Sequence, residues 1–337
     1  MMRIGIICPS EIAFRRFLPA LKEAGCFEYA GVAIASKEEF LGATDEILAK
    51  ERAKAQTFVD SYGGKIYEGY KTLIESTDVD ASYLPLPPGL HYKWAKAALD
   101  AGKHTLVEKP CTIALANTED LLNEAGEKGL AVHENYMFAF HNQIEAVNDI
   151  VRSGEIGDVR LYRISFGFPM RAQNDFRYNK ALGGGALLDC GGYTMKYASM
   201  LLGPTATLKY AQSNNIEGFS VDMYGSAAMV NDEGVTAQIA FGMDHNYKCE
   251  LEVWGSKGTL YTNRILTAPA GFVPEVIIRK GNEEENRNLP ADDAFKKSIL
   301  HFCECIKNAG ERKENYETLL RQARLVEHFK QMAHLDA

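Results

Sequence analysis

Three residues carry chemistry that fits one reaction. Lys109 follows an apolar run, in Glu108-Lys109-Pro110. Asp189 and Tyr193 come after the glycine triplet Gly183-Gly184-Gly185 and are four residues apart. At a helix start that spacing puts both side chains on one face. Moving a hydride to a ketone creates an alkoxide that must be protonated. A tyrosine titrates at about 10, so it needs help to trade protons at neutral pH. A neighbouring ammonium stabilises the phenolate and lowers that value, and Lys109 is the candidate for it. Asp189 can accept hydrogen bonds from substrate hydroxyls and hold the reacting carbon near a nicotinamide. Plainer roles stay open: Asp189 as a helix cap, and Tyr193 as a core aromatic with Tyr197 as its rival.

A hydride needs a donor, and the first βα turn is where a dinucleotide would sit. The expected pattern there is G-x-G-x-x-G/A. The matching span is Cys8-Pro9-Ser10-Glu11-Ile12-Ala13, in which only Ala13 fits outright. Cys8 and Ser10 replace two glycines, but both are small, so the backbone can still approach a pyrophosphate at a helix N-terminus. An NAD site places Asp or Glu at the end of the second strand to bind the ribose diol. This chain has Ser36-Lys37 there, a hydroxyl and a cation that suit a 2′-phosphate, so NADP is favoured and NAD is the alternative. Glu38 and Glu39 weigh against that reading, as does the plain role of Ser36 as a cap beside a solvated Lys37. Leu86, Pro87 and His91 follow another strand, at the sheet edge where ligands bind in such folds. His91 either lines the nicotinamide side or caps its helix.

These residues need a scaffold. Strands are expected at 3–8, 29–36, 80–84 and 104–107, with helices at 12–24, 43–62 and 91–101. Such alternation implies a parallel sheet covered on both faces. Helices at 114–128 and 140–153 flank a short strand near 131–134. From 158 to about 280 strands dominate (159–168, 207–216, 222–231, 235–244, 247–255 and 259–262), with one helix near 193–202. That run predicts an open, largely antiparallel sheet. Helices return at 291–308 and 316–332, and Gly281-Asn282-Glu283-Glu284-Glu285 reads as a solvated turn.

Composition narrows the class. The chain has 337 residues, 46% hydrophobic and 24% charged, with a formal net charge of -8. Ordinary globular composition rules out disordered, collagenous and coiled-coil chains. The acidic balance argues against nucleic acid, which calls for a basic footprint. No apolar run reaches the roughly 18 residues of a membrane span. The short run Ile4–Cys8, closely followed by Arg15-Arg16, reads as a buried strand rather than a signal peptide. Seven scattered cysteines without a C-x-x-C, and histidines without ligand spacing, predict neither a disulfide framework nor a metal site. A reducing cytoplasm is the simplest compartment.

Taken together, the E-K-P tripeptide, the glycine turn ahead of Asp189 and the span Ala101-Gly102-Lys103-His104-Thr105-Leu106-Val107-Glu108-Lys109-Pro110 resemble the glucose–fructose oxidoreductase / inositol dehydrogenase / rhizopine-catabolism (Gfo/Idh/MocA) family. The likeness runs along nearly the whole chain. It implies that Lys109 is the catalytic-site lysine, that Pro110 is the proline often found cis, and that Asp189 binds substrate. Tyr193 falls where many members carry histidine as acid/base, so the chain resembles the tyrosine branch of sugar and dihydrodiol dehydrogenases. The run from Ser10 to Leu21 also resembles sugar ketoreductases of deoxysugar pathways. In the segment after the domain crossover, Glu134 and Tyr136 are placed to face the cleft, while Met137, Phe138 and Phe140 are packing. Arg171, Arg177, Tyr178 and Lys180 either meet an anionic substrate or form an ordinary charged loop, the latter being favoured.

The resulting expectation is an α/β chain. An N-terminal Rossmann dinucleotide-binding domain (1–125) precedes a C-terminal α+β domain (126–337) with a large, mainly antiparallel open sheet for substrate and oligomerisation. The last helix is free to pack back on the first domain. Function is expected to be that of an NADP-preferring oxidoreductase acting on a sugar, nucleotide-linked sugar or polyol. The alternatives are a dihydrodiol- or aldose-type dehydrogenase running oxidatively, and a non-catalytic NADP-binding regulator. Catalysis falls to Lys109, Tyr193 and Asp189. Cofactor binding falls to Cys8, Pro9, Ser10, Glu11, Ile12, Ser36, Lys37, Leu86, Pro87, His91, Glu108 and Lys109. Substrate binding falls to Lys109, Tyr136, Asp189 and Tyr193. A homodimer or homotetramer is expected, with no nucleic-acid, membrane or metal partner.

Overall fold

The structure, a computed structural model, describes residues 1–40 and 43–335. The chain divides into two compact units: Met1–Asn135 with Phe295–Leu320, and Tyr136–Ala294 with the chain from Arg321 on.

In the first unit the strands are β1 (Met2–Ile7), β2 (Phe27–Ile34), β3 (Lys65–Glu68), β4 (Ala81–Leu84), β5 (His104–Val107) and β6 (Val132–Glu134). Among the described residues they make a six-stranded parallel sheet in the order β3-β2-β1-β4-β5-β6. The order reverses between β1 and β4, and ligands bind outside the C-terminal strand ends at such a switch point. Because β1 is central, Ile4, Ile6 and Ile7 are all buried. That is why its apolar run is continuous rather than alternating. Each such side chain contributes roughly 1.5–3 kcal/mol on burial. A π-helical turn, Ala13–Phe17, leads into α1 (Leu18–Ala24), followed by α2 (Asp45–Tyr62), α3 (Tyr70–Ile74), α4 (His91–Asp100) and α5 (Leu115–Lys128). On α4 the buried Trp94, Ala95, Ala98 and Leu99 form one apolar stripe facing the sheet.

The second unit opens with α6 (Asn142–Arg152) and β7 (Val159–Gly167) and continues through α7 (Gly192–Leu202). Its further strands are β8 (Thr207–Asn214), β9 (Tyr224–Val230), β10 (Thr236–Gly242), β11 (Lys248–Gly255), β12 (Thr259–Asn263), β13 (Glu275–Lys280) and β14 (Glu283–Asn288). They form a sheet of eight among the described residues, ordered β14-β13-β12-β11-β7-β10-β9-β8. It is antiparallel except where β10 pairs with β7. Period-two alternation turns Tyr162, Ile164, Phe166, Ile239, Phe241, Leu251 and Val253 into the core. Trp254, Tyr224 and Tyr210 stay exposed.

The chain ends in α8 (Ala294–Lys307) and α9 (Ala309–Met332). Up to residue 320 they complete the first unit: Phe302 stacks on Phe27 at 5.7 Å, and Asn315 donates to the Val132 carbonyl at 2.7 Å. From Arg321 on, α9 belongs to the second, where Gln322 donates to the Gly192 carbonyl at 2.9 Å.

The mixed α/β architecture is the expected one. Two stretches add elements that the sequence pattern did not show. Residues 65–74 form β3 and α3, and 275–288 form the β13–β14 hairpin. There only Gly281-Asn282 is the turn, while the three glutamates begin an edge strand whose charges guard an open edge.

Candidate active site

The end of β1 shows how a turn without its glycines is built. Cys8 takes φ 86°, the left-handed region that a first glycine would supply. Its amide donates to the Ala33 carbonyl (3.1 Å), and its carbonyl accepts from Ser10 (2.9 Å). The Ser10 hydroxyl then accepts from the Ala13 amide at 3.2 Å, capping the helical turn. Beside it lies a cavity of about 420 Å³ lined by Cys8, Pro9, Ser10, Glu11, Phe14 and, from α2, Lys54 with its partner Glu51. Ile12 is partly exposed on the same turn. Lys54 went unnoticed in the sequence because its proximity to this turn is made by the fold alone. The Glu51 hydrogen bond, outweighing burial, raises its pKa.

At the end of β2, Ser36 and Lys37 flank a turn held by Glu39, whose carboxylate accepts from the Ser36 amide at 2.9 Å. Ser36 therefore does cap a turn, through the reciprocal bond from the Glu39 amide (3.3 Å). Lys37 pairs with Asp45 at 2.6 Å, with both side chains mostly exposed. The residues present fit a bound NADP: a glycine-like turn under a capped helix start, and a hydroxyl with a cation at the ribose end.

At the β4 and β5 ends, His91 is fully buried and braces two segments. Its Nε2 lies 2.8 Å from the Leu86 carbonyl and its Nδ1 2.8 Å from that of Pro110. Burial pushes its pKa down to about 4 against the pull of those carbonyls, so the ring is neutral at neutral pH. Leu86 is buried and Pro87 half-buried. Glu108 is buried too, accepting from the Tyr83 hydroxyl (2.6 Å) and the Asn135 amide (2.6 Å). Burial raises its pKa, opposed by those two bonds and the Lys109 charge. The chain continues through Ser298, which donates to Asn135 (2.8 Å) and lies 2.9 Å from His133 Nε2. Lys109 is half-buried, and the Lys109–Pro110 peptide is cis.

In the second unit the glycine turn is tied down by Asp222. Its Oδ2 accepts from the Leu187 amide (2.7 Å) and from the Ser213 hydroxyl (3.3 Å), and its carbonyl accepts from Ala186 (2.8 Å). Gly185 sits at φ 120°, and a Cβ there would strike the Asp222 carboxylate. The helix begins as a π turn, Leu187–Gly191, before α7. Such wider turns recur at functional sites. Asp189 lies on it and accepts from Arg177 Nε at 2.7 Å, while Arg177 Nη1 also reaches Asp175 at 3.1 Å. Arg177, expected in an ordinary charged loop, is thus largely buried at Asp189 and rests over the Phe176 ring. Tyr193 is buried edge-on to Tyr136 (5.0 Å) and Phe166 (5.4 Å), with Phe138 at 5.7 Å. Tyr136 itself is 1% exposed, and the buried Lys196 carries its ammonium 5.1 Å over that ring. Lys196 is a residue sequence reasoning passed over; its signal was its place three residues after Tyr193 on one helix. Tyr197 is sealed in the core, and burial raises its pKa strongly.

Among the described residues no group of three or more His, Cys, Asp or Glu is arranged to hold a metal, and no helix is long and apolar enough to cross a membrane.

A doubly wound parallel sheet with a dinucleotide turn, in a chain whose second unit carries Asp189 and Tyr193 on a helix, defines an NAD(P)-dependent oxidoreductase. The chain matches the oxidoreductase family, NAD-binding Rossmann fold, over residues 3–136 and the GFO/IDH/MocA C-terminal domain over 144–261, and it belongs to the Gfo/Idh/MocA family. It is 40% identical to dTDP-3,4-didehydro-2,6-dideoxy-alpha-D-glucose 3-reductase of Streptomyces violaceoruber, over 99% of this chain and 96% of that one. Identity to the enzyme of the same name from Actinomadura kijaniata is 39%, covering 97% and 94%. The crystal structure of KijD10, a 3-ketoreductase from Actinomadura kijaniata in complex with NADP and TDP-benzene, superposes with a TM-score of 0.90 at 38% identity, covering 98% of this chain and 97% of that one.

Proposed function

We propose that this protein reduces a keto group on a nucleotide-linked sugar, with NADPH as the reductant. The observation that carries the reading is the chain-long similarity to dTDP-sugar 3-reductases, in a chain whose own sequence supplies Lys109, Asp189 and Tyr193. The first unit holds the cofactor and the second shapes the substrate pocket. Cys8, Pro9, Ser10, Glu11 and Ile12 take the pyrophosphate side, and Ser36 with Lys37 the 2′-phosphate. Leu86, Pro87 and Lys109 lie at the nicotinamide side, with His91 and Glu108 bracing that edge.

NADPH, when bound, supplies the hydride to the carbonyl carbon. Tyr193 donates its hydroxyl proton to the oxygen as charge develops there and recovers one from solvent afterwards. The Lys109 ammonium stabilises the transient phenolate. Asp189, held by Arg177 at 2.7 Å, accepts from a sugar hydroxyl, so the pair orients the ring. Tyr136 backs the Tyr193 ring and closes that side of the pocket. The protein works as a homodimer or homotetramer through the exposed face bearing Trp254, Tyr224 and Tyr210, in a reducing cytoplasm that suits its free cysteines.

The test is NADPH oxidation with a dTDP-linked 3-keto sugar, set beside the same sugar without its nucleotide and beside NADP reduction by aldoses and cyclitols. Turnover of the nucleotide-linked ketone is expected. NADP reduction by free aldoses alone would overturn the reading in favour of an oxidative dehydrogenase.

A further inference from the structure

Two glutamates directly after Ser36-Lys37 are an electrostatic obstacle to a phosphate at that strand end. The geometry removes it for Glu39. One carboxylate oxygen accepts from the amides of Ser36 (2.9 Å) and Tyr70 (2.8 Å), the other from the amide of Lys71 (2.8 Å). Gly69, which leads into α3, sits at φ 113°, a backbone conformation that favours glycine, and a Cβ there would lie 3.1 Å from the Thr72 hydroxyl. The charge is therefore taken up by three peptide N–H groups of the turn and of α3.

The clamp also sets what Ser36 can do. A hydroxyl has one proton to give and two lone pairs. The Glu39 amide donates into one of those lone pairs at 3.3 Å, and the Ser36 amide is engaged by Glu39. The hydroxyl proton and one lone pair remain for a ligand. Lys37 pairs with Asp45, and both side chains are exposed enough for the pair to open at little cost. A donor hydroxyl beside an ammonium recognises a phosphate monoester. A ribose diol, which needs an acceptor, finds three of the nearby carboxylate's roughly four acceptor sites already taken by amides.

We propose that Glu39 is a positioning residue for cofactor choice. By clamping the 36–39 turn onto α3, it presents Ser36 and Lys37 to the 2′-phosphate of NADP and is itself withheld from the diol of NAD. This rests on the NADP reading above.

Glu39→Gln and Glu39→Asp are compared with wild type for kcat and KM with NADPH and NADH, and by calorimetry with 2′,5′-ADP and 5′-AMP. The KM for NADPH and the Kd for 2′,5′-ADP rise about tenfold, the factor that one charge-assisted hydrogen bond is worth. NADH and 5′-AMP values shift much less, and kcat at saturating NADPH is retained. Equal losses with both cofactors would mean a general collapse of the loop and overturn the proposal. Ser36→Ala leaves the three amide bonds in place and must show the same selective loss. An unchanged NADPH KM there overturns the proposal even if the Glu39 variants fail to fold. A wild-type preference for NADH overturns the NADP reading as well, whereas an NADPH preference that survives every variant overturns the Glu39 assignment alone.

Discussion

Asp222→Ala is expected to destabilise the protein and to slow it, for one reason. The carboxylate is buried and holds the Leu187 amide at 2.7 Å, in the turn that leads through Asp189 to Tyr193. Removing it leaves a buried N–H without its charged acceptor, which costs about 2–3 kcal/mol. Ser213 loses less, because its hydroxyl also reaches the Tyr224 carbonyl at 3.3 Å. Asp222→Asn keeps an acceptor for Leu187 and is expected to cost about 1 kcal/mol or less. Burial raises the Asp222 carboxyl above its ordinary range, against the Leu187 and Ser213 bonds, so the folded chain holds that proton more tightly than the unfolded one. The group's contribution is full below the ordinary carboxylate range and declines as pH rises through the folded value. Asparagine does not titrate, so the gap between wild type and Asp222→Asn is widest in acid and narrows toward neutrality. Urea unfolding across that range, with kcat measured in parallel, reads both effects. An Asp222→Ala protein within about 0.5 kcal/mol of wild type would refute the capping argument.

Three further outcomes are expected. Lys109→Ala and Tyr193→Phe each lower kcat by roughly 10²–10⁴ while the Kd for NADPH is kept, and steady-state kinetics with cofactor titration checks this. His91, whose pKa falls from 6.5 to about 4 on folding, makes the protein lose stability as pH drops through that interval. Acid-dependent melting of His91→Phe, which lacks the proton, should be flatter. Trp254→Glu, on the exposed face of the second sheet, shifts the protein toward monomer in light scattering without changing its far-ultraviolet circular dichroism.

Much of this architecture was legible because burial on two faces leaves a plain mark. The run Ile4-Gly5-Ile6-Ile7 reads as a buried strand, and β1 is one, with a place in the middle of its sheet. The edges were less legible. Lys65–Glu68 carries charge at both ends, and Glu283–Asn288 is polar throughout, because an edge strand gains from repelling partners rather than from apolar contact. The parallel pairing of β10 with β7 joins residues far apart in the chain, and no local pattern encodes it. The same distinction runs through the site. Residue type and spacing pointed to Lys109, Asp189 and Tyr193, but Arg177 at Asp189, and Asp222 beneath Leu187, arrive from 12 and 35 positions away. Glu39 is the sharpest case. As a letter it counts against a phosphate nearby; once folded, its charge is held by peptide amides.

The last strand of the first sheet leans on the end of the chain. His133 lies 3.0 Å from Asn315 and 2.9 Å from Ser298, and Phe27 meets Phe302. A ribosome that has made the first 135 residues has produced six strands but not the helices that seal them. Nearly the whole second unit must emerge before those partners exist. Folding in the order of synthesis, usual for chains of separate domains, is therefore closed to this one. The nascent nucleotide half must wait, partly uncovered, until residues 295–320 have been made. A fragment cut after Asn135 would keep the sheet and the phosphate turn yet expose an apolar flank, and it should need a chaperone or a fused 295–320 helix pair to stay in solution.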